Sequence, residues 1–126
     1  MYVDPVEFST LKGLTFAKIE RCDDNVLFTT TDGHQFDLYH EQDCCEQVTL
    51  DDVDGDLQDL IGSEILLAEE VSSDLPAKDP EWEDSYTWTF YKLATRDASI
   101  TMRWYGTSNG YYSESADLYP LAPSES

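Results

Sequence analysis

The chain has 126 residues, and its 27 acidic side chains outweigh 7 basic ones to give a formal net charge of -20. Such a field repels nucleic acid and anionic membrane, and attracts cations or a basic protein surface. Apolar residues make up 40%, with 8 Tyr, 5 Phe and 3 Trp, which excludes an acidic disordered chain too poor in aromatics to form a core.

The charge is concentrated. Glu41 to Asp84 holds 16 acids against one base, Lys78. No apolar run approaches the length of a membrane span. The start, Met1-Tyr-Val-Asp-Pro-Val-Glu7, has no basic stretch leading into an apolar segment, so no signal peptide is expected. Cys22, Cys44 and Cys45 are odd in number and two are adjacent, a poor disulfide framework. A reducing cytoplasm is the expected location, with the thiols free. The length suits one domain over residues 1–126. Residues 1–10 read as a loosely ordered lead-in and 119–126 as a loosely ordered tail.

In chain order, Thr15 to Arg21 alternates apolar and polar residues and predicts a half-buried strand. Asn25 to Thr31 is rich in β-formers, and Asp32-Gly33 marks a hairpin turn into His34–His40. There Phe36, Leu38 and His40 share one face and Gln35, Asp37 and Tyr39 the other. These three strands predict an antiparallel meander. Gln47 to Val53 reads as a fourth strand. Asp56 to Ile61 reads as a short helical turn, capped by Asp54 or Asp56 and ended by Gly62. Glu64 to Val71 fits strand or helix, and Ser72 to Asp84, with Pro76 and Pro80, a loop. Ser85 to Thr95 predicts a strand with Tyr86, Trp88 and Phe90 on one face. Ser99 to Tyr105 predicts another, with Ile100, Met102 and Trp104 on one face. Gly106 to Gly110 reads as a turn, and Tyr111 to Leu118 as the last strand. The expected fold is mainly β (α+β): an antiparallel sheet or small open barrel of about six to eight strands with one or two short helices.

The segment Tyr39-His-Glu-Gln-Asp-Cys-Cys-Glu46 gathers metal-ligand types. Its spacing is not that of a zinc knuckle, and adjacent cysteines on a strand point to opposite faces. A strand end and turn explains it as well. Thiol catalysis is disfavoured because the acidic surroundings oppose thiolate formation. Asp52 to Asp56 resembles the opening of a calcium loop, but Leu57 and Ser63 stand where an EF-hand needs Gly and Glu. An acidic turn capping a helix is the preferred reading. The aromatic run Tyr86–Tyr91 and the group Trp104, Tyr105, Tyr111 and Tyr112 lack a basic groove for stacking on bases. Core and cross-strand packing is the expectation, with tyrosine tips as interface anchors. No nucleophile elbow or phosphate loop occurs.

Leu38-Tyr-His-Glu-Gln-Asp-Cys-Cys-Glu46, Gly55–Gly62, Ser85–Thr95 and Arg103–Ser115 together resemble a family of small uncharacterised proteins of bacteria and their phages, over about residues 11–118. The resemblance implies a small cytoplasmic accessory protein and carries over no activity or catalytic residue.

The reading is thus a non-enzymatic acidic binding module without a cofactor. It masks a basic, nucleic-acid-binding surface of a host protein by charge mimicry, as a phage-type inhibitor does, since carboxylates and phosphates accept the same bonds from Arg and Lys. It binds neither nucleic acid nor membrane itself. The expected contacts are Glu41, Asp43, Asp51, Asp52, Asp54, Asp56 and Asp59, with Tyr111 and Tyr112 as anchors. One alternative is a metal-binding protein or metal-dependent enzyme centred on His40, Glu41, Asp43 and Cys44. Another is a structural protein whose charge serves solubility alone.

Overall fold

The computed structural model describes residues 5–40, 46–73, 78, 85–108 and 114–121. Among these residues eight antiparallel strands form two four-stranded sheets, with two single 3-10 turns at Phe8–Leu11 and Leu57–Leu60. Neither sheet closes into a barrel. The first sheet is the expected meander, β1 (Phe16–Arg21), β2 (Asn25–Thr30) and β3 (Gln35–Tyr39), completed by β8 (Asp117–Leu121) in the order β1-β2-β3-β8. The second contains β4 (Gln47–Asp54), β5 (Leu67–Ser73), β6 (Ser85–Ala94) and β7 (Ser99–Ser108), ordered β4-β7-β6-β5.

Both sheets contribute to one apolar core. Phe16, Phe28, Leu38 and Leu118 come from the first; Leu50, Tyr91, Leu93, Met102 and Trp104 come from the second. The sheets differ in how legible their inner faces are. On β2, burial alternates strictly, as the sequence pattern demands. On β6, large apolar residues occupy both faces. Tyr91 and Leu93 enter the core, while Trp88 and Phe90 lie on the opposite, outer face. The Tyr86–Trp88–Phe90 row is therefore not the core face, and Tyr86 is exposed.

Three segment boundaries differ from expectation. Phe8, within the expected lead-in, is 3% exposed and stacks edge-on against Tyr91 at 5.1 Å between centroids. Val6 N–H also donates to Leu118 O at 2.8 Å. The last strand begins at Asp117 and takes in Tyr119 to Leu121, which the expected tail had claimed. It contains Pro120, which a strand tolerates at a sheet edge because a missing N–H there leaves the ladder intact. Gly106 lies within β7 and not in a turn. A Cβ at this position would sit 1.9 Å from Glu114 O, so the absence of a side chain lets the chain at 114 cross the strand. Glu64–Val71, ambiguous between helix and strand, resolves as the lead into β5.

Candidate functional site

The acidic stretch builds its site at the end of β4. A β-bulge between Leu50 and Asp52 breaks the register with β7, and bulges re-aim side chains. Here the extra residue is Asp51. Its carboxylate meets Arg103 through Nε at 2.8 Å and a terminal nitrogen at 2.7 Å, and it also accepts from Lys78 Nζ. Burial alone would raise its carboxyl, but Lys78 and Arg103 together hold it below the ordinary range. Asp51 is thus already paired with two partly exposed cations of its own chain.

The same two cations cover Trp88 and Tyr105 on the outer face of the second sheet. Lys78 Nζ lies 5.6 Å from the Trp88 ring centre and 5.2 Å from that of Tyr105, and Arg103 Cζ lies 5.4 Å from Trp88. The rings of Trp88 and Tyr105 pack at 4.3 Å, and Lys78 N–H donates to the Tyr105 hydroxyl at 2.9 Å. Cations over indole and phenol faces are attracted by the ring quadrupole. This arrangement explains how an outward-facing Trp88 is buried.

Beyond the bulge the carboxylates point to solvent. Asp52, Asp54, Asp56 and Asp59 are all exposed. Gly55 makes the turn at φ +102°, where a Cβ would approach Ile100 Cγ2 at 2.8 Å; only glycine fits both demands. Asp56 then caps the 3-10 turn, its Oδ1 accepting from Gln58 N–H at 3.0 Å. Leu57 and Leu60 are buried beneath, so the three-residue period carries Asp56 and Asp59 outward on one side. Gln58 Nε2 donates to Ile19 O at 3.0 Å and ties the turn to β1. Asp52 lies 3.9 Å from Arg103. Asp54, Asp56 and Asp59 have no ion pair among the described residues.

His40 stands at the end of β3, and its partner is a residue the sequence did not single out. His40 Nε2 is 2.9 Å from Glu46 Oε2, with the two side chains 5% and 1% exposed. His40 Nδ1 is 3.1 Å from Ser115 O. A carbonyl only accepts, so Nδ1 carries a proton, and one further proton is shared between Nε2 and Glu46. Both ring nitrogens are engaged, and metal ligation through His40 would have to displace one of these bonds. Glu41, Asp43, Cys44, Tyr111 and Tyr112 lie outside the described residues. Among the described residues, no group of three or more His, Cys, Asp or Glu is placed to hold an ion.

Other polar groups emerged only from the register. Glu114 accepts from Thr87 Oγ1 at 2.7 Å and Ser108 Oγ at 2.5 Å. Burial pulls its carboxyl up, but the hydroxyls of Ser108, Ser85 and Thr87 outweigh that and leave it below its ordinary value. Tyr91 donates its hydroxyl to Ala116 O at 2.7 Å, and burial raises its ionisation far out of reach.

No helix is long and apolar enough to cross a membrane among the described residues. No curated protein and no solved structure matches the chain. A family model described as a domain of unknown function (DUF7448) matches residues 9–118, and the chain belongs to that family.

Proposed function

We propose that the protein is a non-enzymatic acidic binding module of the cytoplasm. Its ridge of Asp52, Asp54, Asp56 and Asp59 occupies a basic surface on a partner protein, in competition with that partner's nucleic acid. One observation carries the reading: these carboxylates are exposed along the end of β4 and the turn that follows it, which is fixed by Gly55, the Asp56 cap and the Gln58–Ile19 bond. Asp54, Asp56 and Asp59 make no ion pair with the internal clamp that neutralises Asp51, and Asp52 lies at its margin, 3.9 Å from Arg103. Fixed carboxylates at a surface offer Arg and Lys the acceptors that phosphates offer, and ordering them in advance lowers the entropic cost of association.

The test is isolation of the partner from a bacterial lysate, followed by titration against the purified pair. Duplex DNA or RNA is expected to displace the protein, and affinity to fall steeply with salt. Changing Asp52, Asp54 and Asp59 together to Lys, with the Asp56 cap kept, is expected to abolish binding while the far-ultraviolet circular dichroism stays unchanged. A complex that survives this variant with the same salt dependence, or tight binding of nucleic acid by the protein itself, defeats the reading.

A further inference from the structure

Four sheet edges exist, and they are treated differently. The β1 edge is occupied: Gln58 Nε2 donates to Ile19 O, and Gly62 N–H donates to Phe16 O at 3.0 Å. The β8 edge receives Val6. The β4 edge is broken by its bulge and carries the exposed Asp52 and Asp54. Among the described residues the β5 edge has none of these devices. Its register with β6 is regular from Leu67 to Ser73, it contains no proline, and no other described strand pairs with it.

This edge is also where apolar surface is left uncovered. Among the described residues the exposed large apolar side chains are Leu66 (49%), Leu67 (36%), Val71 (40%) and Tyr86. Three of these four lie on β5 or immediately before it. Beside the strand, between it and the Phe8–Leu11 turn, runs a groove of about 420 Å³. Phe8 and Ala68 are buried against it, and Glu7, Glu69 and Glu70 line it. Lys92 stands opposite Glu69 across the strand pair. Glu7 and Glu70 have no ion pair among the described residues.

We propose that the free edge of β5 captures an extended segment of a partner protein that alternates basic with β-branched apolar residues, adding it as a fifth strand of the second sheet. An exposed regular edge offers unpaired backbone donors and acceptors, and strand addition uses them for affinity while alternate side chains give specificity. The outer-face row takes the apolar residues of the incoming strand at Leu67 and Val71, with Glu69 between them already standing opposite Lys92. The inward row at Glu70, with Glu7 beyond it, takes the basic ones. Burial, with the Asp117 carboxylate opposite, already holds Glu70 above its ordinary range, and an arriving ammonium or guanidinium relieves that penalty.

Charge decides between occupants. A second copy of this chain pairing antiparallel about the middle of β5 would place Glu70 against Glu70, and like charges directly opposite are destabilising. The two glutamates therefore guard the edge against self-association and against other acidic chains, and leave it open to a basic one. This surface lies at the opposite end of the sheet from the aspartate ridge, since β4 and β5 are the two outer strands.

The probe is a fluorescein-labelled, amidated nine-residue peptide alternating valine and arginine, titrated into the full chain by fluorescence anisotropy, with amide hydrogen exchange to locate it. Binding is expected with protection added across Leu67–Ser73. Glu69→Lys with Glu70→Lys is expected to weaken it at least tenfold, and Val71→Lys at least fivefold. Reversal of Asp52, Asp54 and Asp59 to Lys is expected to change it by no more than about threefold in total at 0.15 M salt, so failure of the ridge and failure of the edge are separable. Several results overturn the proposal: equal binding of a block peptide of the same composition, equal binding of a valine–glutamate peptide, protection that maps to the ridge, or no binding at millimolar peptide. A dimer in analytical ultracentrifugation that Val71→Lys dissociates also overturns it, because the occupant is then a second copy.

Discussion

The His40–Glu46 pair gives the sharpest energetic test of the structure. Its side chains are almost completely withdrawn from water, and one proton serves both. Changing His40 to Leu leaves a buried carboxylate without this partner, a loss of about 3–5 kcal/mol for broken pairs of this kind. Changing both residues to Leu removes the charge together with its counter-charge. The double variant is expected to recover part of that loss, because no uncompensated charge is left buried. For a chain of this length, 1 kcal/mol is worth roughly 3–5 °C in Tm. Thermal unfolding followed by circular dichroism is therefore expected to show His40→Leu about 10–20 °C below the parent, and the double variant well above the single one. Urea midpoints at constant m give the same ranking independently. If His40→Leu costs under about 1 kcal/mol, or the double variant is as unstable as the sum of the singles, the pair is not a coupled buried unit and the proton argument fails.

Gly106→Ala is expected to cost more than about 3 kcal/mol or to prevent folding, because a Cβ would overlap the backbone oxygen of Glu114 and overpacking against backbone has no cheap relief; soluble yield and the melting transition read this out. Thr89→Val is expected to be neutral or stabilising by up to about 1 kcal/mol, since Thr89 Oγ1 is buried with no hydrogen-bond partner among the described residues and an isosteric methyl removes that cost; a clear fall in Tm would contradict it. Asp117→Asn concerns pH. Burial raises the Asp117 carboxyl against the opposing pull of His40 and Tyr119, and a carboxyl raised on folding costs stability above its folded value and ceases to cost as pH falls through that value. The variant is expected to raise the urea midpoint near neutrality, with the gain fading toward about pH 4; a gain that grows on acidification would reverse the sign of the argument.

The meander, the Asp56 cap and the inner face of β7 could be read from the sequence because each rests on a local rule: alternation, turn chemistry or three-residue spacing. β6 could not be oriented, because Trp88 and Tyr91 are both large and apolar yet face opposite ways. What distinguishes them is the cation cover over Trp88, and that depends on Lys78 and Arg103 converging from distant parts of the chain. Asp51 was grouped with its neighbours for the same reason: no local feature marks the bulge that turns it toward Arg103. Glu46 and Glu114 are single carboxylates in an acidic chain, and only the approach of His40 and of the Thr87 and Ser108 hydroxyls sets them apart. Pro120 was assigned to the tail because proline is unfavourable in a strand in general, whereas its place at an edge removes the objection.

The pairing of β3 with β8 joins residues 35–39 to residues 117–121. During synthesis the first three strands leave the ribosome long before the strand that closes their sheet, and the Leu38 edge must wait for almost the whole chain. Non-local pairings of this kind set a slow folding rate, in the range of milliseconds to seconds for β topologies, and the waiting meander exposes an unpaired edge meanwhile. The dense negative charge of Glu41–Asp84, made in that interval, opposes close contact between two unfolded copies through short-range like-charge repulsion.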